Sequence, residues 1–377
     1  MLGVVGLGYV GCTSFLGFSQ FTSKLVGYDL SADLVDRMRN GVLHIHDEEM
    51  GEYFKENFSS LNITSEISDL ADCTDILIAV PTNTAGGKLD LSIVSSVLEK
   101  LSEISDSANL WIRSTLDDPD LFDELSVRLK NPLFLYPEFL REGKCWRDFN
   151  NPSISVIGKE REMDGNFLVE LIQNNLASQT LFQCSPAEAI TLKLACNSFH
   201  ALKVCFANEL RDLRWSEKVD LNKVMEIFVR DDVLNISAAY LKPGLPFGGP
   251  CLPKDTLALK HSSNREKNLF SAVLEINQAH KGHWVEKVSA LKAEVIGVVG
   301  LEFKPNTGDY KNSPVIDIVS SIKNKKIVVL KTEQALSPDL TKFEAVEDIP
   351  SLSERVEVIL THDKSFVGPN IIHWDQL

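Results

Sequence analysis

The feature that most constrains this chain is Gly6-Leu7-Gly8-Tyr9-Val10-Gly11, a GxGxxG run directly after the apolar stretch Leu2–Val5 and before the small-residue stretch Cys12–Gln20. That order specifies strand, tight turn and helix. Gly6 permits the turn, Gly8 lets an anion approach the backbone, and Gly11 lets the helix pack closely on the strand. The start of the helix adds unpaired N–H groups and the positive end of its dipole. A second apolar run, Leu25–Tyr28, ends at Asp29, 18 residues after Gly11. A carboxylate there accepts hydrogen bonds from a ribose and repels a 2′-phosphate, which favours NAD over NADP. The competing reading is an ordinary βα turn with a solvated aspartate.

Short apolar runs continue at Asp75–Val80, Leu110–Ile112, Phe134–Tyr136 and Ile154–Ile157, separated by helical stretches. Such runs indicate a parallel sheet covered on both faces. From Pro186 the pattern changes. Ala187–Arg214 reads as one long helix with proline in its first turn. Leu221–Val229 reads as a further helix, and Pro243–Pro253 as a Gly/Pro-rich loop. Lys254–Lys292 reads as a long connecting helical stretch that would break, if anywhere, at Ser262–Asn264. Then βα alternation returns in Glu294–Val299, Val315–Ile322, Lys326–Leu330 and Val356–Leu360. The expected fold is α/β: two Rossmann-like, doubly wound parallel sheets joined by a helical centre. The expected domains are residues 1–183, 184–290 and 291–377.

Lys plus Arg number 38 against 53 Asp plus Glu, a net charge of −15. So acidic a chain repels phosphate backbones and anionic lipid, so neither nucleic acid nor membrane is an expected partner. No apolar run reaches the ~18 residues of a membrane span. MLGVVGLGYVG enters a strand at once, so no signal peptide is expected. The seven cysteines are odd in number and form no CxxC pair, which argues against a disulfide scaffold or a metal site. A reducing, cytoplasmic setting is the expectation.

Three stretches carry candidate chemistry. In Phe247-Gly248-Gly249-Pro250-Cys251-Leu252-Pro253-Lys254-Asp255, the glycines allow close backbone approach and Cys251 precedes a helix. A helix N-terminus and Lys254 would both favour the thiolate. Taken alone, a single cysteine is more often a small buried apolar residue. Beside a dinucleotide fold, a thiol suits aldehyde oxidation, since a thiohemiacetal can lose hydride to become a thioester. On the long helix, Lys193, Asn197, His200 and Asn208 fall within about 80° of one another at ~100° per residue. Most of the remaining circumference is apolar or small, so the helix reads as buried on several sides. Pattern alone does not separate a ligand-facing stripe from a wet face. Tyr136-Pro137-Glu138-Phe139-Leu140-Arg141-Glu142-Gly143 follows a strand, where α/β sheets bind ligands. A charged surface loop is the alternative there.

These segments, in order and spacing, resemble the UDP-glucose/GDP-mannose dehydrogenases, NAD-dependent four-electron nucleotide-sugar 6-dehydrogenases. The matching blocks are GLGYVG, VPTN (Val80–Asn83), RST (Arg113–Thr115), PEFLREG, LKLACNSFHALKVCFANEL, YLKPGLPFGGPCLPKD and GLEFKPNTGDYKNSP (Gly300–Pro314). The resemblance implies a homodimer through the central helical domain, NAD as cofactor and a nucleotide sugar as substrate. It implies NAD contacts at Gly6, Gly8, Tyr9, Val10, Gly11, Asp29, Thr82, Thr115, Glu142, Lys254 and Lys311. It implies Cys251 as covalent nucleophile, with Lys193, Asn197, Asp255, Glu138 and Thr115 in the remaining catalytic roles. Substrate contacts are implied at Glu138, Phe139, Leu140, Lys193, Asn197, His200, Asn208, Asn235, Tyr240, Lys242, Phe247, Gly248 and Lys304. The middle section, with CNSFHALKVCFANE and Leu234–Ser237, is most similar to GDP-mannose 6-dehydrogenase. Lys242 and Lys311 stand where that pattern has arginine, and lysine lacks the bidentate fork. Ala239, Pro246 and Gly308 also depart from the family pattern. A two-electron NAD dehydrogenase and an inactive nucleotide-sugar binder are the alternatives.

Overall fold

The structure, a computed structural model, describes residues 1–85, 87–160, 166–176, 181–209, 218–232, 240, 244–263, 268–303, 307–330 and 343–377. The chain divides into two compact units, Met1–Ala195 and Cys196–Leu377.

The first unit is built on strands β1 (Leu2–Val5), β2 (Leu25–Tyr28), β3 (Ile63–Thr64), β4 (Asp75–Ile78), the hairpin β5 (Thr84–Ala85) and β6 (Lys88–Leu89), β7 (Asn109–Ile112), β8 (Leu133–Leu135), β9 (Ser155–Gly158) and β10 (Leu181–Cys184). Its helices are α1 (Tyr9–Ser19), α2 (Ala32–Arg39), α3 (Glu48–Asn57), α4 (Ser92–Ile104), α5 (Pro119–Arg128), α6 (Cys145–Asn150) and α7 (Phe167–Asn175). The sheet order is β10-β9-β8-β7-β4-β1-β2-β3. Read from β3 to β8, this is the Rossmann order, with the reversal between β1 and β4. All neighbours in this sheet are parallel except β8 and β9. The inner strands are buried on both faces, which is why they read as unbroken apolar runs. Phe15, Phe18, Trp111, Phe134 and Phe149 are among the large side chains of this core. The close approach of α1 and α6 needs Gly17, since a Cβ there would lie 2.2 Å from the Phe149 ring.

Helix α8 (Pro186–Glu209) crosses from the first unit into the second. Pro186 opens it, and Ser185 and Glu188 form a reciprocal cap: the Ser185 N–H donates to Glu188 (2.8 Å) and the Glu188 N–H to Ser185 Oγ (3.3 Å). Then follow α9 (Leu221–Phe228), α10 (Leu252–Ser262) and α11 (Leu269–Ser289). The second sheet comprises β11 (Val295–Val299), β12 (Lys326–Leu330), β13 (Glu344–Val346), β14 (Val358–Thr361) and β15 (Ile371–His373), with helices α12 (Pro314–Ser321) and α13 (Ile349–Ser353). Its order is β13-β12-β11-β14-β15, all parallel. Trp284, Val298, Ile318, Leu360 and Trp374 share its core.

The stretch Lys254–Lys292 breaks after Ser262, within the Ser262–Asn264 run where a break was expected: α10 stops at Ser262, and α11 restarts behind Asn268, whose side chain caps it through the Ser271 N–H. Helix α8 is buried on several sides but keeps an exposed one, where Phe199 and Phe206 are 40% and 42% exposed within this chain. Arg214, the expected end of that helix, lies outside the described residues.

Asp75 is the buried polar link of the first sheet. It accepts from Trp111 Nε1 (2.9 Å), Asn109 Nδ2 (3.2 Å) and Thr74 Oγ1 (3.0 Å). Asp75→Ala leaves the buried indole donor unpaired and should destabilise the protein by about 1–3 kcal/mol. Asp75→Asn, which keeps an acceptor, should cost less; urea unfolding followed by tryptophan fluorescence checks both.

Candidate functional site

In the first unit, the Gly-rich turn sits at the carboxyl end of β1, at the sheet reversal. Gly6 has φ +84°, a left-handed conformation suited to glycine. A Cβ on Gly11 would lie 1.7 Å from the Gly6 carbonyl oxygen, so no other residue fits there. A Cβ on Gly8 would meet nothing within 4 Å, leaving open space over the start of α1. That helix begins with no side-chain cap and no acidic residue in its first turn, which leaves its N–H groups for an anion. Asp29 is held in place by the N–H groups of Leu7 (2.7 Å) and Ser31 (2.9 Å). These residues fit a dinucleotide: pyrophosphate over Gly8, Tyr9, Val10 and Gly11, and ribose hydroxyls on Asp29.

The loops after β4, β7 and β8 converge on the same edge. Ser114 donates to the Val80 carbonyl (2.7 Å), joining the loop of buried Thr82 to that of half-buried Thr115. Thr115, Ser114, Pro137 and Lys193 line one small pocket. Tyr9 ties the turn to the next loop, its hydroxyl accepting from the Gly143 N–H (2.6 Å) and donating to the Arg141 carbonyl (3.2 Å). Glu142 is half-buried on that loop, and Arg141 forks onto Asp148.

Glu138 is not in a solvated loop. It is 7% exposed, and Lys193 of α8, itself 4% exposed, donates to it at 2.6 Å. Its other oxygen accepts from the Leu140 N–H (2.7 Å). Burial pushes the carboxyl up, but the Lys193 charge and hydrogen bond, the Leu140 N–H and Arg113 outweigh it, so Glu138 titrates below the ordinary carboxylate range. Phe139 and Leu140 are half-buried beside it, and the Lys193 ammonium lies 5.7 Å from the Phe139 ring centre.

In the second unit, Cys251 is the exposed N-cap residue of α10, with no side-chain capping bond. Asp255, one turn on, is 1% exposed and donates its N–H to the Cys251 carbonyl (2.9 Å). One Asp255 oxygen accepts from Asn197; the other makes no hydrogen bond with a described residue and faces Lys254 Nζ at 3.6 Å. The loop before Cys251 is fixed at several points. A Cβ on Gly248 would lie 2.3 Å from the Asn312 carbonyl, while Gly249 (φ +80°) donates to that carbonyl and accepts from the Asn312 side chain, both at 3.2 Å. Buried Phe247 exchanges two hydrogen bonds with Asn277 of α11 (2.8 and 2.9 Å). Asn277 and Asn312 were not singled out in the sequence. The signal available was an asparagine inside a helix and another beside Lys311.

Asn208 is 2% exposed, and its amide is occupied by the Gly244 N–H (2.7 Å) and the Leu245 carbonyl (3.5 Å). His200 stacks on Tyr240 at 4.6 Å between ring centres, with Tyr240 at φ +66°. Lys311 is exposed on the loop after β11. Asn235, Lys242 and Lys304 lie outside the described residues.

The first unit therefore defines a dinucleotide-binding dehydrogenase fold. Residues 1–175 match the NAD binding domain of the UDP-glucose/GDP-mannose dehydrogenase family, and residues 187–279 match its central domain. The chain belongs to this family, the nucleotide-sugar dehydrogenases, and its cofactor is NAD. It is 28% identical over 345 residues to GDP-mannose 6-dehydrogenase of Pseudomonas syringae pv. syringae, covering 86% of this chain and 78% of that one. It is 29% identical over 341 residues to UDP-glucose 6-dehydrogenase TuaD of Bacillus subtilis strain 168, covering 85% and 73%. Among solved structures it is similar to a UDP-glucose dehydrogenase from Pyrobaculum islandicum, with a TM-score of 0.87 and 29% identity over 99% of this chain and 93% of that one. No described helix is long and apolar enough to cross a membrane.

Two predictions test the first unit. Gly11→Ala forces α1 off the turn and should abolish measurable NAD binding by calorimetry. Lys193→Met strands a buried carboxylate, which should cost about 3–5 kcal/mol at pH 7. With its depressed pKa, Glu138 contributes stability above the unfolded carboxylate pKa, and this is lost as pH falls through the folded value. The difference between wild type and Lys193→Met should therefore shrink towards pH 4 in urea unfolding.

Proposed function

We propose that the protein oxidises the C6 hydroxyl of a nucleotide sugar twice, giving a uronic acid, with GDP-mannose as the favoured substrate and UDP-glucose as the second. The observation that carries this reading is Cys251 exposed at the start of α10, with Lys254 and Asp255 in the following turn. A helix start and a nearby ammonium both favour thiolate. When bound, NAD accepts the hydride in each oxidation.

In the first oxidation, Lys193 and Asp255 assist loss of the hydroxyl proton through a water, and C6 becomes an aldehyde. Lys193 and Asn197 stabilise negative charge on the oxygen. The Cys251 thiolate then adds to the aldehyde carbon, forming a C–S bond, and the oxygen takes a proton to give a thiohemiacetal. Loss of the second hydride and the hydroxyl proton leaves a thioester. Water oriented by Glu138 and Asp255 attacks it, the C–S bond breaks, and the thiolate is restored. Glu138, paired to Lys193, suits a positioning role better than that of a strong base.

The domain boundaries proposed with this reading are residues 1–183, 184–290 and 291–377. The exposed Phe199 and Phe206, with Val224 and Ile227 of α9 at 38% and 64% exposure, support a homodimer through the central helices. Seven cysteines held as thiols support a reducing, cytoplasmic setting.

The reading requires two NADH per nucleotide sugar oxidised. Absorbance at saturating NAD, across GDP-mannose, UDP-glucose and N-acetylated UDP-sugars, measures that ratio. A yield of one would favour a two-electron dehydrogenase, and binding without reduction a non-catalytic protein. Cys251→Ser and Cys251→Ala should stop release of the acid; unchanged uronate formation would eliminate the covalent step.

A further inference from the structure

The second sheet has a reversal of its own. Its order changes direction between β11 and β14. In open α/β sheets, ligands bind beyond the carboxyl ends of the strands at such a point. The residue after β11 is Gly300, and the residue after β14 is His362. Val299 pairs with Thr361, so Gly300 and His362 come next in register.

Gly300 has φ +80°, and a Cβ there would lie 2.6 Å from His362 Nε2. The imidazole thus lies across a bare α-carbon, in space that any side chain would remove. His362 is half-buried and makes no hydrogen bond with a described residue. Asp363, its neighbour, is turned to the Ser365 N–H at 2.9 Å. An imidazole at a strand end, with no hydrogen-bond partner among the described residues, has its hydrogen-bonding capacity available to a ligand.

The ring's protonation narrows the chemistry. Burial holds His362 below the ordinary imidazole range, against the opposing pull of Asp363. At pH 7 it is neutral, with one donor and one acceptor nitrogen. Such a ring matches an uncharged polar edge better than a phosphate, which calls for a cation.

We propose that His362 contacts the nucleoside end of the sugar nucleotide, hydrogen-bonding its base or ribose in the crevice between β11 and β14. The inference rests on the nucleotide-sugar reading above and adds a specificity residue to it.

The test is calorimetry on the full chain with GDP, UDP, inorganic pyrophosphate and NAD as separate ligands. His362→Ala should weaken GDP or UDP by about three- to ten-fold, the value of one net hydrogen bond. His362→Gln, which keeps a donor and an acceptor, should recover most of that loss. Pyrophosphate and NAD affinities should stay at wild-type values. Unchanged GDP and UDP affinity in His362→Ala, while wild type reduces NAD with a nucleotide sugar, would overturn the inference and leave the function standing. An equal loss for pyrophosphate would overturn it by assigning the contact to phosphate, and a loss for NAD by assigning it to the dinucleotide. Wild type with no affinity for any nucleoside diphosphate would overturn both readings.

Discussion

The buried ion pair between Lys193 and Glu138 is the interaction on which the rest of the first unit's chemistry turns. Taking two charges out of water is expensive, and the cost is recovered only when geometry and further hydrogen bonds are good. Here the carboxylate has both: the ammonium on one oxygen and the Leu140 N–H on the other. The pair joins the loop after β8 to α8, elements 55 residues apart in sequence. Neither partner can be withdrawn without leaving an uncompensated charge in a dry site. The loop is thereby fixed where the Gly-rich turn, through Tyr9, also grips it.

The second unit solves a related problem without charge. The segment before Cys251 contains two glycines and two prolines between Leu245 and Cys251, and so has little secondary structure to hold it. Asn277 and Asn312 supply what a strand partner would supply, each exchanging amide hydrogen bonds with the loop backbone or receiving it closely. If Cys251 is the nucleophile proposed above, it needs such support to stay within a fraction of an ångström of one position.

What could be read from the sequence follows from which forces are local. GxGxxG and Asp29 were legible because glycine conformations and strand endings are written in neighbouring residues. The loop and helix start within FGGPCLPKD were legible for the same reason. The burial of Glu138 was not: its loop reads as charged surface, and its partner is distant in sequence. Asn277 and Asn312 escaped notice because their bonds span 30 and 63 residues. Strands β3, β13 and β15 have only two or three residues, too few for a period to register. Strand β10 carries an exposed phenylalanine, Phe182, and so lacks the buried signature of its neighbours. The break after α10 falls where Ser262, Ser263 and Asn264 weaken the helical pattern.

One consequence lies at position 251. Helix α10 starts on a residue that offers it no capping bond, where serine, threonine or aspartate would satisfy an N–H and add about 1 kcal/mol. The fold therefore carries a weak helix start at the very spot where the proposed mechanism places its sulfur. On that mechanism, thermal robustness and turnover pull in opposite directions there. Selection for heat tolerance alone would drift this site towards an oxygen side chain and away from a thiol.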